Sequence, residues 1–187
     1  MPLQANNLTT LASLKTYLKI THSNDDTTLE DLINEASDII EQYCDRAFKA
    51  ATVTEYVNGV TTGKIIPRLY PINSITSIAY ASGDLDNPTW NLLESETDYI
   101  LDQYSGIVNV GGMFAGTRNY RIIYNGGYAT LPDDVVRACK IIAAAEYNRS
   151  SSDGAKSENI VGSSISWEEG IPKRAQYLLN KYKRFSF

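Results

Sequence analysis

Few side chains in this 187-residue sequence could perform catalysis or bind a metal. His22 is the only histidine, so a catalytic triad or an imidazole–metal site would have to be built around it. It lies among cap-type residues between two helical patterns, a position typical of a solvated loop histidine. Cys44 and Cys139 are the only cysteines, and they show no zinc-ligand spacing with His22 or with each other. The sequence therefore predicts no catalytic residue, no metal site and no cofactor.

Carbohydrate chemistry is a second candidate, because aromatic platforms beside paired carboxylates are typical of sugar-binding and sugar-cleaving sites. Glu168 and Glu169 follow Trp167, and Trp90 is the other tryptophan. The Ser- and Gly-rich segment that precedes Trp167 is a poor support for a preorganised site. A carbohydrate-active or carbohydrate-binding module stays an alternative that requires a defined pocket around Trp167.

The amino-acid composition excludes some classes of protein to which this sequence could belong. The net charge of −5 argues against a protein that grips phosphate backbones. The 13 tyrosines, against 4 phenylalanines, suit wet protein interfaces, although strand positions alone account for many of them.

Both cysteines fall in apolar helical patterns, which indicates buried thiols in a reducing compartment. The N-terminus has no signal-peptide pattern, and no apolar run approaches the roughly 20 residues of a membrane helix. We expect the protein to be kept in the cytoplasm in which it is made, or in a particle assembled there, and we expect no membrane partner.

The charges are segregated along the chain. The segment from position 25 to position 45 contains eight acidic residues and neither Lys nor Arg. After Glu169, every charged residue is a Lys or an Arg. Helical spacing places four of the acids in one stripe: Asp31, Glu35, Asp38 and Asp45. Two solvated helix faces would explain this pattern. Alternatively, the basic end of one copy contacts the acidic face of another protein, which could be a second copy in a ring.

Helical patterns occupy both ends of the chain. Thr9 or Thr10 can cap a short first helix, and Thr27 with Glu30 fits a capping box that opens a long amphipathic second helix. Pro132 and Pro172 mark the starts of two later helices. Residues 150–166 are Ser- and Gly-rich, and we expect a mobile loop there.

The middle of the chain is rich in strand-forming residues. Short strand candidates at 52–57, 64–69, 74–81, 99–101, 107–110 and 120–124 are separated by turn signals. They predict an antiparallel meander or a small barrel. The predicted fold class is α+β, with a mainly α-helical core of about four helices and an antiparallel β insertion between the second and third helices. We expect one domain over 1–187, with a helical core at 8–48 and 130–184 and the β insertion at 50–128.

The order of these features resembles the head–tail connector proteins, also called adaptor or head-completion proteins, of long-tailed phages. The resemblance extends from Leu8 to Tyr182 and is carried by ordered motifs along the chain. These are residues 8–20, the Asp25-Asp26 start of the second helix, residues 40–48, Tyr70-Pro71 with residues 72–75, Tyr124-Asn125-Gly126-Gly127-Tyr128 with Leu131-Pro132, and Ile171-Pro172 with residues 178–182.

The resemblance implies a structural virion subunit without catalytic residues. Such a subunit forms a ring with further copies, a dodecamer in the virion, beneath the portal protein at the head–tail interface. The ring extends the channel through which DNA passes without sequence-specific binding, and it is the platform for a stopper or tail-completion protein. A tail-completion or baseplate subunit is the alternative among structural proteins.

Two sets of residues are the candidate interaction sites. We expect the basic C-terminal end to dock to the portal, with two phenylalanines as apolar anchors; this set is Lys181, Lys183, Arg184, Phe185 and Phe187. The acidic stripe Asp31, Glu35, Asp38 and Asp45 is expected to face a neighbouring subunit or the channel, where negative charge repels DNA phosphates.

Overall fold

The computed structural model describes residues 3–83, 87–102, 105–150, 157–160, 163–166 and 170–183. The chain divides into two compact units. The helical unit contains Met1–Arg46 and Leu131–Phe187, and the β unit is the continuous segment Ala47–Thr130.

The described part of the helical unit contains four α-helices, which bury apolar side chains. They are α1 (Leu11–Leu18), α2 (Asp26–Cys44), α3 (Asp133–Ser150) and α4 (Lys173–Leu179), which continues into a 3₁₀ turn at Asn180–Tyr182. The hydroxyl of Thr10 caps α1 by accepting a hydrogen bond from the amide of Ser13 at 3.2 Å. The α3 helix packs against both α2 and α4. The buried side chains of these helices include Leu14, Leu29, Ile33, Ile40, Val135, Cys139, Ile142 and Leu179.

The β unit contains two antiparallel sheets. Its strands are β1 (Ala51–Gly59), β2 (Lys64–Ile65), β3 (Ile72–Gly83), β4 (Pro88–Leu92), β5 (Tyr99–Asp102), β6 (Ile107–Val110) and β7 (Gly116–Gly126). The larger sheet has the order β1-β7-β3-β4, and the smaller one has the order β2-β6-β5. The last strand of the segment therefore lies between the first and third strands, whereas a meander would pair consecutive strands.

The predicted mainly helical core is wrong. The β unit has a core of its own, in which Ile78, Tyr120, Ile122 and Tyr124 are at most 2% exposed. Residues of both sheets contribute to this core, which also includes Ile65, Leu69, Ile72, Tyr99, Val108, Val110 and Met113. The strands β3 and β7 extend beyond the predicted segments at both ends. The added residues include Ser82-Gly83, Gly116 and Asn125-Gly126, which are residue types typical of turns, and cross-strand pairing includes them in the strands.

The segment predicted to be a mobile loop, residues 150–166, lies partly outside the described residues. Where it is described beyond α3, it contains β8 (Ser157–Ile160) and β9 (Ser163–Ser166), which pair with each other in an antiparallel ladder. Its mobility stays a prediction.

Candidate interaction surfaces

The acidic stripe lies on the outward face of α2, opposite the apolar residues that this helix buries. Glu35, Asp38 and Asp45 are exposed, and Asp31 is half-buried. The side-chain amide of Asn6 donates to Oδ1 of Asp38 at 3.0 Å. Among the described residues, no Lys or Arg forms an ion pair with Glu35, Asp38 or Asp45. Glu35, Asp38 and Asp45 therefore form a negative surface without a described counter-ion, and the contact of the stripe with a neighbour stays a prediction.

Two of the C-terminal cations are held against their own unit. Lys181 donates to Oδ2 of Asp134 in the first turn of α3 at 2.5 Å, and this hydrogen bond raises the pKa of Lys181. The ammonium group of Lys183 lies 3.8 Å from the centroid of the Tyr43 ring on α2, a cation–π contact. The Tyr43 hydroxyl in turn donates to the side-chain oxygen of Asn180 at 2.8 Å. The other residues proposed for docking, Arg184, Phe185 and Phe187, lie outside the described residues.

A shallow depression on the helical unit lies beside the Lys181–Asp134 pair. It is lined by Asp134, Tyr177, Leu178, Asn180 and Lys181. Tyr177 is 80% exposed, so the depression is open to solvent. Small-molecule sites bury most of their ligand, and this surface does not have that form.

The β unit carries an arginine–aromatic cluster, which we define as Tyr56, Trp90, Arg118 and Arg121. The Cζ atom of Arg118 lies 5.3 Å from the Tyr56 ring centroid, and that of Arg121 lies 4.7 Å from the Trp90 ring centroid. The two rings are 5.8 Å apart and tilted by 57°. The four groups therefore form a continuous series of cation, ring, ring and cation.

Strand register explains why these side chains meet on the outer face of the larger sheet. Tyr56 on β1 is paired with Arg121 on β7, and each lies between residues that point into the core. Arg121 is paired in turn with Ala79 on β3, which is only 1% exposed. Sequence reasoning missed Tyr56, Arg118 and Arg121, since the cluster joins positions far apart in the chain. The only signal of the cluster in the sequence is that Tyr56 and Arg121 alternate with inward-facing residues within predicted strands.

Comparison with known proteins identifies the family. The sequence matches the family described as Head completion protein over residues 7–185. The chain belongs to this family. A similar solved structure is described as "Neck of empty GTA particle computed with C6 symmetry". The two chains are 14% identical with a TM-score of 0.65, and the match covers 100% of this chain and 96% of the other, so they share a fold. No curated protein matches the sequence.

Membership in the head completion protein family confirms the predicted resemblance. It gives the chain a structural role in the head–tail connector, and it places the chain at the head–tail interface of a virion, as predicted. Among the described helices, none has both the length and the apolar character required to cross a bilayer.

Four described residues were considered for catalysis, metal binding or carbohydrate binding: His22, Cys44, Cys139 and Trp90. His22 is more than half exposed, and its Nδ1 atom lies 3.9 Å from Oδ2 of Asp25. Burial raises the pKa of both thiols, Cys44 and Cys139, to about 11, so that they are protonated near neutral pH and unreactive. Trp90 stacks within the arginine–aromatic cluster, and the other carbohydrate candidates, Trp167, Glu168 and Glu169, lie outside the described residues. The described residues contain no group of three His, Cys, Asp or Glu side chains suited to a metal ion.

Proposed function

We propose that the chain is one subunit of a ring beneath the portal, which extends the DNA channel and is the platform for a stopper or tail-completion protein. The observation that carries this proposal is the family match, which extends over residues 7–185 and thus over nearly the whole chain. The similar neck structure supports the ring, because it was computed with C6 symmetry and therefore contains repeated subunits. A dodecamer satisfies sixfold symmetry, since twelve is a multiple of six.

The charge of the subunit suits a channel through which DNA slides. Each copy carries a net charge of −5, and a ring multiplies this charge around the lumen. A negative lumen repels phosphates, which prevents the DNA from adhering to the wall during passage.

The subunit acts without catalysis in this proposal. Burial keeps both thiols protonated, so neither cysteine is an activated nucleophile, and His22 is more than half exposed. The work of the protein is then binding: it holds neighbours in a fixed arrangement around the DNA.

The C-terminal end is the proposed portal-docking element. Contacts with Asp134 and Tyr43 hold Lys181 and Lys183 against α3 and α2, so the chain is anchored up to Lys183. Arg184, Phe185 and Phe187 follow directly, and they combine a permanent charge with two large apolar side chains. Aromatic and arginine side chains are the usual anchors of protein interfaces.

Deletion of residues 184–187 tests this function. Purified chains are mixed with portal-bearing heads that lack this protein, and bound protein is measured by sedimentation of the heads. We expect the full chain to sediment with the heads and the truncated chain to bind at least about tenfold more weakly, because its anchors are missing. The control is Arg174→Ala, which removes one exposed positive charge from α4 and should bind as the full chain does.

The binding experiment distinguishes an error in the docking element from an error in the proposed function. Undiminished binding of the truncated chain would contradict the docking element while leaving the connector function intact. Binding of the full chain to purified tails, with none to portal-bearing heads, would instead identify a tail-completion or baseplate subunit.

A further inference from the structure

The arginine–aromatic cluster has the composition of an interface. Tyr, Trp and Arg are enriched in the centres of protein interfaces, where their large side chains provide most of the binding energy. Tyr56 is 44% exposed, and Leu92, paired with Ala79 on the same sheet, is 69% exposed. Large apolar groups and two guanidinium groups therefore share one outer sheet face.

The two arginines of the cluster have no acidic partner in the described part of the chain. Other cations do have one: Lys15 pairs with Asp26, and Lys181 pairs with Asp134. The side chain of Arg118 is exposed, and the Nε atom of Arg121 is buried without a hydrogen-bond acceptor. Arginine is always charged, so these are two permanent positive charges without an internal counter-ion.

The acidic stripe of α2 is the complementary surface. Glu35, Asp38 and Asp45 are exposed carboxylates without a described cationic partner, so one chain presents both an unpaired positive face and an unpaired negative face. Lys181 and Lys183, the C-terminal cations considered from the sequence, are less suited to bind the acidic stripe of a neighbouring subunit. Lys181 already contacts Asp134, and Lys183 already contacts Tyr43.

We propose that the arginine–aromatic cluster of one subunit binds the acidic stripe of α2 in the next subunit of the ring. The two patches differ, so the contact is heterologous, and repeated heterologous contacts close into a ring when the rotation permits. Arginine can bind a carboxylate with two parallel hydrogen bonds, while the rings beside it exclude water. This inference rests on the proposed ring function and specifies which surfaces form the ring.

Charge reversal on each surface tests the pairing. Three forms of the full chain are required: Arg118→Glu with Arg121→Glu, Glu35→Arg with Asp38→Arg, and all four changes together. Ring formation on portal-bearing heads is counted by electron microscopy, and self-association in solution is measured by sedimentation velocity. We expect each double variant to assemble at least about tenfold less well, because like charges then face each other. The quadruple variant should regain assembly, because every contact is again between opposite charges.

Controls separate assembly from folding. Lys173→Glu with Arg174→Glu makes the same change in net charge on α4 and should assemble normally. Circular dichroism and urea unfolding establish that each variant is folded, and Arg118→Glu alone, at an exposed position, is the variant least able to disturb the sheet.

Three outcomes would overturn the inference. Normal assembly of the Arg118/Arg121 variant on portal-bearing heads shows that the cluster is not part of the ring interface, while the connector function remains. Loss of assembly without rescue in the quadruple variant shows that the cluster meets a surface other than the acidic stripe. Binding of a 30-base-pair duplex that is lost in the Arg118/Arg121 variant, with rings unchanged, identifies a DNA-contacting surface. Failure of the unaltered chain to join portal-bearing heads would count against the proposed function itself.

Discussion

Single side chains in this protein take roles that depend on distant partners. The predicted capping box of Thr27 and Glu30 is wrong, because α2 begins at Asp26 and Thr27 is already helical. Two acids at the helix start have partners elsewhere: Asp26 accepts from Lys15 at 2.5 Å, and Asp25 accepts from the Tyr147 hydroxyl at 2.7 Å. The helix therefore begins two residues earlier than the capping box predicted, with Asp26 and Thr27 both helical.

The hydroxyl group of Tyr124 takes part in two hydrogen bonds in the β core. It donates to Oε2 of Glu55 at 2.8 Å and accepts from the amide of Leu69 at 2.9 Å. Burial of the ring raises the pKa of this hydroxyl, which stays protonated in the folded protein. One side chain thus connects β7 with β1 and with the segment after β2.

Replacement of Tyr124 by Phe removes both hydrogen bonds. We expect the free energy of unfolding at pH 7 to fall by about 1–3 kcal/mol, because the buried Leu69 amide loses its acceptor. Urea titration followed by circular dichroism measures the change. The matched control is Tyr177→Phe, at a residue 80% exposed, where the change should be within about 0.5 kcal/mol. Equal stability of the two variants would contradict this account of the buried network.

At the scale of elements, Gly127, which follows β7, permits a close approach of two backbones. A Cβ atom on Gly127 would lie 2.4 Å from the carbonyl oxygen of Lys49, and the φ angle of Gly127 is +93°. The Tyr128 amide donates to the carbonyl of Phe48 at 2.7 Å, and the Ala50 amide donates to that of Tyr128 at 3.1 Å. The two ends of the β unit are therefore bound to each other at Gly127, a motif that the family resemblance had included for its sequence alone.

Gly127→Ala should be much more disruptive than Gly112→Ala. Both residues have positive φ angles, +93° and +63°, but a Cβ on Gly112 meets nothing within 4 Å. We expect a cost of about 1–2 kcal/mol at Gly112, from backbone conformation alone. At Gly127 the clash with Lys49 adds roughly 1–3 kcal/mol. Thermal unfolding of the two variants side by side measures the difference, and a similar melting temperature would refute the steric explanation.

At the scale of the whole molecule, the described residues form a hydrophobic core within the β unit besides the buried side chains of the helical unit, whereas the sequence pattern had suggested a single, mainly helical core. The β unit is one continuous segment, Ala47–Thr130, and the residues of its core cluster all belong to that segment. Its two ends meet, and the Phe48 and Tyr128 rings stack with their centroids 6.4 Å apart. A segment with its own core and adjoining ends has the form of an inserted domain.

The isolated segment 47–130 should therefore fold by itself. We expect a cooperative urea transition and dispersed amide signals in its NMR spectrum, because every residue of its core cluster belongs to the segment. The same segment with Ile122→Asp is the control, since a charge at a residue with 0% exposure should abolish folding. A disordered spectrum for the unaltered segment would show that its core depends on the helical unit.

The sequence alone determined those features that depend on neighbours a few residues apart. The apolar spacing predicted the buried face of α2, including Leu29, Ile33 and Ile40, and Pro132 and Pro172 marked the starts of α3 and α4. The ordered motifs were sufficient for the connector family, which the match over residues 7–185 confirms. Helical periodicity and capping are local, so they can be read without knowing the rest of the fold.

Only the tertiary structure decided which distant groups meet. Strand order brought Tyr56 beside Arg121, and helix packing brought Lys181 to Asp134 and Lys183 to Tyr43. A charge in a sequence has no assigned partner, because any of the 22 acids could in principle meet any of the 17 Lys and Arg side chains. Pairing is fixed by sheet register and helix packing, which are properties of the whole chain, and this pairing gives Arg118 and Arg121 no acidic partner among the described residues.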